Sequence, residues 1–307
     1  VLAGLPKVRT YLSRNHPDIL SRLKTLILYP IVVEDFISEY KDFKITLTVF
    51  IPVDENIEVW NFNIENKSNQ KKSLSICSYF EWCLGSSSDH HREFHKTFLE
   101  THFDSKLNCM TATKRLWEIP LGDRGHWNIE YPYLGFISCS EKISDYDGDK
   151  DTFVGQYGSL QNPAGLSAKS LSKKLGKWND SIASVKTVIE IGPDATKNVN
   201  FFIGIKENKN AIAASLKKFT NQKKIDSALF DLKLFWHKIF DSLVIETPDK
   251  AMNLLVNKWL RYQAIAGRLW GRTAYYQQSG AFGFRDQLQD SMVFLPINPK
   301  KTEDQIR

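Results

Sequence analysis

Residues 43–66 read FKITLTVFIPVDENIEVWNFNIEN, and this stretch decides the fold. From Phe43 to Val49 apolar residues alternate with polar ones, which is the period of a strand with one buried face. Residues 52–56 (PVDEN) have the composition of a turn, and a second alternating run follows over residues 57–64. The stretch therefore predicts two strands joined by a turn.

Further strand signals continue to about Gly204. Residues 74–80 predict a third strand, and residues 185–190 and 199–205 predict two more on either side of a Gly192-Pro193-Asp194 turn. Several strands with intervening turns and few helical stretches are typical of an antiparallel sandwich. We therefore assign residues 1–206 to a β-sandwich domain.

After Glu207 the pattern changes to apolar residues spaced three and four apart, which indicates helices. Residues 207–246 are predicted to form a helical linker. Thr247 is a candidate N-cap with Pro248 at the first helical position, and it predicts a helix from about Asp249 to Thr273. Residues 247–307 thus form a second, helical region.

The last of these helices has two distinct faces when residues are placed 100° apart. Arg261, Arg268 and Arg272 share one face with Ile265. Three aligned guanidinium groups could bind a phosphate or a sugar, or they could form a solvated cationic face. The other face is an apolar stripe of Leu255, Trp259, Tyr262, Ala266 and Leu269.

Composition excludes several classes of protein. The net charge of +6 is spread over scattered lysines, so nothing indicates nucleic-acid binding. No apolar run is long enough to span a membrane, and no signal peptide is evident, so we expect a cytoplasmic protein. The chain begins at Val1 and stops at Arg307 within a predicted helix, so we expect it to be part of a longer protein. The four cysteines are predicted to be reduced and buried.

Two other groups of residues could carry chemistry. The histidines at 90, 91, 95 and 102, with Glu93, could suggest a metal, but a polar loop explains them as well, and we expect no metal. Residues 114–118 (KRLWE) and 125–128 (GHWN) are clusters of aromatic and polar residues. They could border a sugar cleft or a dimer contact, or they could pack in the core and at sheet edges.

Residues 271–290 read GRTAYYQQSGAFGFRDQLQD and concentrate aromatic, amide and charged side chains. Gly280 and Gly283 would allow the backbone to approach a ligand, and the amides and carboxylates could bond sugar hydroxyls. The alternative is a glycine loop followed by a helix starting near Arg285, with Asp286 and Asp290 complementing its dipole.

The sequence resembles glycoside hydrolase family 94, which includes cellobiose, chitobiose and β-1,2-oligoglucan phosphorylases and the phosphorylase-like region of cyclic β-1,2-glucan synthases. The resemblance covers essentially the whole chain. It rests on Tyr262-Gln263, Arg268 and Arg272, residues 276–290, and the segments 50–52 (FIP), 66–68 (NKS), 79–85 (YFEWCLG) and 153–155 (FVG).

The resemblance implies a galactose-mutarotase-like supersandwich, a helical linker and an (α/α)₆ barrel, of which residues 247–307 would be the first helices. It places Arg285 and Asp286 on the donor sugar and Arg272 beside the phosphate. The neighbouring residues of the motif are expected to contribute too, namely Tyr276, Gln278 and Gln289 at the sugar and Arg268 at the phosphate.

The resemblance also implies the reaction. The complete protein would be an inverting phosphorylase acting on an oligosaccharide or β-glucan, with inorganic phosphate as co-substrate, no other cofactor, and a possible homodimer. The passage from Ser279 to Gly283 lacks an arginine that the cellobiose and chitobiose enzymes carry there, which favours the β-glucan branch. The general acid is expected beyond Arg307, so this chain alone should be inactive. The alternative is a carbohydrate-binding fragment without catalytic activity.

Overall fold

A computed structural model describes residues 33–84, 96–115, 117–120, 126–270 and 284–307. The described part of the chain is rich in strands up to Lys206 and helical from Lys209 onward. The strands are β1 Glu34–Tyr40, β2 Phe43–Phe50, β3 Ile57–Asn66, β4 Lys72–Cys77, β5 Phe80–Glu81, β6 Leu99–Asp104, β7 Cys109–Lys114, β8 Trp117–Pro120, β9 His126–Ile129, β10 Leu134–Cys139, β11 Ile143–Asp149, β12 Ser181–Ile191 and β13 Thr196–Lys206.

Two short helices interrupt the strands, and longer ones follow them. Among the described residues, no helix combines the length and the apolar character needed to cross a lipid bilayer. The helices are α1 Lys150–Val154, α2 Ala164–Ser167, α3 Lys209–Leu216, α4 Gln222–Phe240, α5 over residues 250–270, α6 Phe284–Ser291 and α7 Pro299–Ile306, with 3₁₀ turns at Lys217–Phe219 and Met292–Phe294.

The strands form a seven-stranded sheet in the order β1-β2-β3-β13-β10-β7-β6 and a smaller sheet in which β12 pairs with β11, β4 and β5. Strands β8 and β9 form a separate hairpin. Every pairing is antiparallel, and the predicted strands over residues 43–66 are the β2–β3 pair, with Phe43 opposite Asn66. The predicted antiparallel sandwich followed by helices is therefore confirmed.

The sandwich core lies between the two sheets and is filled by side chains from alternate residues of their strands. On β10, Ile137 and Cys139 belong to the main core cluster, whereas Phe136 and Ser138 lie on the opposite face of the large sheet. The small sheet contributes Val185 and its neighbours on β12 to the same cluster. Burial of these apolar side chains from both sheets is the main stabilising contribution to the domain.

The predicted strand over residues 74–80 is in fact two strands. Strand β4 ends at Cys77 and β5 begins at Phe80. Between them, the amide of Ser78 donates to the carbonyl of Val185 over 3.0 Å, and the Ser78 hydroxyl accepts from the Val185 amide over 3.1 Å. Because a side chain takes the place of a backbone partner here, the regular ladder is interrupted at Ser78.

Helix α3 and the 3₁₀ turn after it are attached to the large sheet. Asn208 caps α3, since its Oδ1 accepts from the Ala211 amide over 2.9 Å. The buried carboxylate of Glu55, in the turn after β2, pairs with Lys206 at 3.0 Å and with Lys218. The turn between β2 and β3 therefore ties the end of β13 to the first linker helix.

Helix α5 begins at Lys250, close to the predicted position, but the cap is Asp249 and not Thr247. Asp249 Oδ1 accepts from the Ala251 amide over 2.8 Å. The Thr247 hydroxyl instead donates over 2.7 Å to Oδ1 of Asn253, which lies in the first segment of α5. Pro248 therefore precedes the cap, and its fixed φ positions Asp249 instead of opening the helix.

One face of α5 lies in a different environment from the one expected. Arg261 is buried, with 3% of its surface exposed, and its Nη1 donates to the carbonyl of Phe240 over 2.6 Å. Ile265 is fully buried beside it, whereas Leu255 and Trp259 of the predicted apolar stripe are 42% and 43% exposed. The alternative of a solvated cationic face was therefore wrong at Arg261, and the apolar stripe is exposed at Leu255 and Trp259.

Helix α5 alternates between α and π turns, yet its faces are grouped as predicted, since Arg261 and Ile265 are both buried and Leu255 and Trp259 are both exposed. It consists of α segments at Lys250–Leu254 and Leu260–Tyr262 and π segments at Leu255–Trp259 and Gln263–Trp270. The error lay in which face is buried, because that depends on the element packed against the helix, here the carbonyl of Phe240, and not on spacing along α5. Burial lowers the pKa of Arg261, and the charge of Asp241 opposes that shift.

The four cysteines are reduced, as predicted, but they are not all buried. Cys109 and Cys139 are buried, and burial raises the pKa of each to about 12. Cys77 is half-buried and Cys83 is exposed. Cys83 follows the two-residue strand β5, where the chain leaves the small sheet and a side chain can face solvent.

Candidate functional site

The predicted phosphorylase motif is only partly within the described residues. Arg272, Tyr276 and Gln278 lie outside them. Arg268 belongs to the last π segment of α5 and Asp286 to the first turn of α6. The remaining two residues, Arg285 and Gln289, are exposed on α6. The helix expected near Arg285 is present, beginning at Phe284, while the binding roles of these side chains stay predictions.

The family-like segment at residues 79–84 has a structural role in the sandwich. The Trp82 indole Nε1 donates to the carbonyl of Ile182 over 2.9 Å. The Tyr79 ring stacks on the buried Phe153 ring, with centroids 5.4 Å apart. The aromatic side chains of this segment therefore join the small sheet to helix α1.

Glu81 in the same segment is the centre of an ion-pair network. Its carboxylate pairs with Lys150 at 2.8 Å and with Lys96, and both lysines also reach Asp180. Burial alone would raise the pKa of Glu81, but hydrogen bonds from Lys150 and Lys96 and the attraction of both ammonium groups together lower it to about 2. The network links β5, α1 and the segment before β12.

Two other family-like segments hold turns. The buried amide of Asn66 donates to the carbonyls of Gln70 and Gly192, each over 2.8 Å, and its oxygen accepts from the Ser68 hydroxyl. Gly155 ends helix α1 with φ of 88°, a conformation that glycine adopts without strain. In the sandwich, therefore, the matching motifs specify the fold.

The sandwich also contains a polar cleft of about 380 Å³, which we call the Tyr133 cleft. It lies where β7 ends and β10 begins, beside β6. Glu100 on β6 is paired directly with Thr113 on β7, so both lie on the face of the large sheet that is turned away from the main core. The lining residues are Glu100, His102, Thr113, Lys114, Arg115, Glu130, Tyr131, Pro132, Tyr133, Leu134 and Glu207.

Glu100 is the most strongly held polar group of the cleft. Only 11% of its side chain is exposed, and its carboxylate accepts from Arg115 Nε over 2.7 Å. His102 Nε2 lies 3.5 Å away and Lys177 Nζ 3.8 Å away. Lys177 reaches Glu100 because its neighbour Gly176 forms an isolated antiparallel bridge with β6. A buried carboxylate among cationic groups is thereby fixed in position.

Two tyrosines form an aromatic pair on the same cleft. The rings of Tyr131 and Tyr133 are 5.5 Å apart in an edge-on arrangement. Tyr131 packs against the main core, and its amide donates to the carbonyl of Lys114 over 3.0 Å. Burial raises the pKa of Tyr131, and Tyr133 adds to the shift. Tyr133 itself is 40% exposed, so a ring held by its neighbour faces solvent.

The sequence pointed to this cleft only in part. From the first aromatic-polar cluster, Lys114 and Arg115 line the cleft. In the second cluster, residues 126–128 belong to β9. Residues 116 and 125 lie outside the described residues. Sequence reasoning missed Glu100 and the Tyr131-Pro132-Tyr133 segment. A proline between two tyrosines just before a strand is a signal that could have found the second of these.

Most of the histidine-rich segment that could suggest a metal lies outside the described residues. Residues 90, 91, 93 and 95 lie outside the described residues, and His102 lies on β6 beside Glu100. Within the part of the chain that the structure describes, no group of three or more histidine, cysteine or acidic side chains is arranged to hold a metal ion.

Family comparisons match both halves of the chain. The glycosyl hydrolase 94 supersandwich domain matches residues 33–222, and the catalytic domain of the glycosyl hydrolase 94 superfamily matches residues 235–307. In class, the chain is a supersandwich joined to helices of a glycoside hydrolase-type catalytic domain. It belongs to the glycosyl hydrolase 94 family.

Individual relatives align across most of the chain. The cyclic β-(1,2)-glucan synthase NdvB of Rhizobium meliloti (strain 1021) is 31% identical over 245 residues, which are 79% of this chain and 8% of that protein. The N,N'-diacetylchitobiose phosphorylase of Vibrio furnissii is 24% identical over 88% of this chain and 33% of its own length. The solabiose phosphorylase of Paenibacillus borealis is 20% identical over 84% of this chain and 32% of its own length. The chain thus spans a third or less of these relatives.

Proposed function

We propose that the complete protein is an inverting phosphorylase that cleaves a β-glucoside with inorganic phosphate. The products would be α-glucose 1-phosphate and an acceptor shortened by one glucose. The observation that carries the proposal is the consecutive match of the chain to the supersandwich and catalytic domains of one family. Relatives named as phosphorylases align through both regions, which supports the same reaction class.

Charge explains why such a reaction needs few protein groups. An inverting hydrolase uses one carboxylic acid to protonate the leaving oxygen and one carboxylate to activate water. In phosphorolysis a phosphate oxygen attacks the anomeric carbon from the face opposite the leaving group. The acid donates its proton to the glycosidic oxygen as that bond breaks. One acid and a cationic cradle for phosphate therefore suffice.

The motif suggests how these tasks are divided. We assign Arg285 and Asp286 to the donor sugar, and Arg272 with Arg268 to the phosphate. Tyr276, Gln278 and Gln289 would complete the sugar contacts. Asp286 then binds hydroxyl groups and is not the acid, which we place beyond Arg307. On this assignment the 307-residue chain alone releases no glucose 1-phosphate.

Two features favour a β-1,2-glucan as the substrate of the complete protein. The passage from Ser279 to Gly283 lacks the arginine of the cellobiose and chitobiose enzymes. The relative with 31% identity is named a cyclic β-(1,2)-glucan synthase, whereas the phosphorylases named above are 20–24% identical. The identity supports the β-glucan branch.

The decisive experiment incubates the complete protein with phosphate and, separately, β-1,2-glucotetraose, cellobiose and N,N'-diacetylchitobiose. Phosphorus NMR would follow sugar phosphate formation and its anomeric configuration. We expect α-glucose 1-phosphate from the β-1,2-linked sugar. Release of free glucose without a phosphate requirement, or of the β-anomer, would contradict the proposal.

A second candidate is a carbohydrate-binding protein without catalysis, and the Tyr133 cleft is the observation that favours it. Aromatic and hydrogen-bonding groups converge there within the sandwich alone. Sugar binding without phosphorolysis by the complete protein would support this second candidate.

A further inference from the structure

We infer that the Tyr133 cleft is a second, non-catalytic site in the sandwich, which binds a neutral oligosaccharide with one sugar ring against Tyr133. The inference goes beyond the proposed reaction, because the lining residues all belong to the sandwich and the first residues after β13. None of them belongs to the phosphorylase motif.

The aromatic pair provides the surface for a sugar ring. An exposed tyrosine is usually free to rotate, but the Tyr133 ring rests edge-on against Tyr131, which is itself held by the core. A ring that is already ordered loses little conformational entropy when a ligand stacks on it. Tyrosine also offers an apolar face and a polar hydroxyl, which suits a pyranose with its apolar C–H face and polar edge.

Fixed polar groups surround this surface. The Glu100 carboxylate is aligned by Arg115 Nε at 2.7 Å, and the remaining N–H groups of a guanidinium can donate to a ligand. Burial raises the pKa of Tyr131, so its hydroxyl stays protonated near neutral pH. A carboxylate and several N–H and O–H donors at set positions can bond vicinal hydroxyls, which both donate and accept.

The charge of the cleft favours a neutral ligand over a phosphate. Arg115 and Lys177 both pair with Glu100, which offsets one of the two positive charges. The lining also includes the carboxylates of Glu130 and Glu207. With Lys114 included, three cationic groups balance three acidic ones, so an anion would lose solvation here without an excess of positive charge to bind it.

The size of the cleft is consistent with a short segment of a glucan. At about 380 Å³ it lies near the lower end of the range of roughly 300–1,000 Å³ for ligand sites in proteins. The site would hold a few sugar units of a longer substrate and keep it near the protein, thereby raising its local concentration.

The test measures binding to the 307-residue chain, with β-1,2-glucotetraose as the probe. Saturation-transfer NMR and calorimetric titration would give the dissociation constant. Tyr133→Ala is expected to weaken binding about 10-fold, and Tyr133→Phe should restore most of the affinity because the ring face is kept. Glu100→Gln should weaken binding by roughly 3- to 10-fold.

The matched control is Tyr157→Ala, because Tyr157 is 94% exposed and does not line the cleft. It should bind as the unmodified chain does. Far-ultraviolet dichroism and the melting temperature would show that each variant folds.

Four results would overturn the inference: no binding by the unmodified chain, equal binding by Tyr133→Ala, competition by excess inorganic phosphate, or loss of binding in Asp286→Ala. The last two would move the bound sugar to the proposed phosphorylase site. Because the readout is binding and not turnover, failure here leaves the phosphorylase proposal intact. An inactive complete protein would equally leave this inference intact.

Discussion

The sandwich and the helical region after residue 228 differ in how completely they bury phenylalanine side chains. Phe50, Phe136 and Phe201 in the sandwich are at most 2% exposed. In the helical region Phe230 is 64% and Phe284 76% exposed, while Phe240 and Phe294 are buried. The sandwich thus buries these three phenylalanines in its interior, whereas the helical region leaves two of its phenylalanines exposed.

The motif residues divide along the same line. In the sandwich, family-like residues such as Asn66, Glu81 and Gly155 specify turns and an ion-pair network. In the helical region the family-like residues concentrate between Arg268 and Asp290, where chemistry is proposed. We draw from this difference that the sandwich mainly supplies stability and the helical region mainly supplies reactive groups.

The largest effect is expected from a matched pair of phenylalanine substitutions. Phe201→Ala removes a ring from the sandwich core, where the centroids of the Phe201 and Phe62 rings are 5.8 Å apart. This substitution should lower the free energy of unfolding by about 3–5 kcal/mol. Phe230→Ala removes an exposed ring from α4 and should change it by less than about 0.5 kcal/mol. Denaturant unfolding of the 307-residue chain would measure both. Equal losses would remove the distinction between the regions.

The next effect concerns catalysis in the complete protein. Asp286→Ala should lose charge-assisted hydrogen bonds to the donor sugar worth about 2–4 kcal/mol. The kcat/KM for the glucan should therefore fall by roughly 30- to 1,000-fold, with a much smaller change in the KM for phosphate. Arg272→Ala should do the reverse, because a dianion loses a fixed cation.

Steady-state kinetics with each substrate varied in turn would test both variants, and the melting temperature of each would stay close to that of the unmodified protein. If both substitutions raised the KM for phosphate equally, or if Asp286→Ala left glucan turnover unchanged, the separate roles would be refuted.

A smaller effect is expected where the helical region does have a buried polar contact. Arg261→Met keeps the length of the side chain but leaves the Phe240 carbonyl without its donor, at a cost of about 1–3 kcal/mol. Lys250→Ala, at the exposed start of α5, is the control and should cost less than about 0.5 kcal/mol. Chemical unfolding followed by tryptophan fluorescence would compare them. A neutral Arg261→Met would mean that the contact contributes nothing.

The local pattern predicted much of the sandwich because the alternation of apolar and polar residues in a strand can be recognised from neighbouring residues alone. Residues 43–64 and the turn at Gly192-Pro193-Asp194 needed no knowledge of the rest of the chain. The break at Ser78 could not be predicted in the same way, because it depends on Val185, which lies far away in sequence. The Tyr133 cleft was missed for the same reason, since the β6–β7 register brings Glu100 to Thr113.

The helical region was harder to predict for another physical reason. Helical periodicity groups residues into faces but does not tell which face packs against another element, so Arg261, whose partner is the carbonyl of Phe240, was assigned to the wrong environment. The motif at residues 276–290 was interpretable through its resemblance to a family. Side-chain types alone left a glycine loop and a sugar site as alternatives.

The smallest effect is the acid sensitivity of the sandwich network at Glu81. The pKa of Glu81 is lowered from 4.5 to about 2 by Lys150 and Lys96, against the effect of burial. Because the folded pKa is the lower one, ionised Glu81 stabilises the fold fully above about pH 4.5. That stabilisation is lost as the pH falls from 4.5 towards 2. With 28% of the side chain exposed, solvent screening limits it to roughly 1–2 kcal/mol.

Glu81→Gln removes the titrating group and should therefore flatten the pH dependence of unfolding between about pH 4.5 and 2.5. The control is Glu190→Gln, because Glu190 pairs with Lys71 on the surface and its side chain is 65% exposed. Its unfolding profile should follow that of the unmodified chain, since water already solvates both partners. Urea unfolding at a series of pH values would measure the three profiles. If all three coincide, the network adds no acid sensitivity, and the stability of the sandwich rests on its apolar core alone.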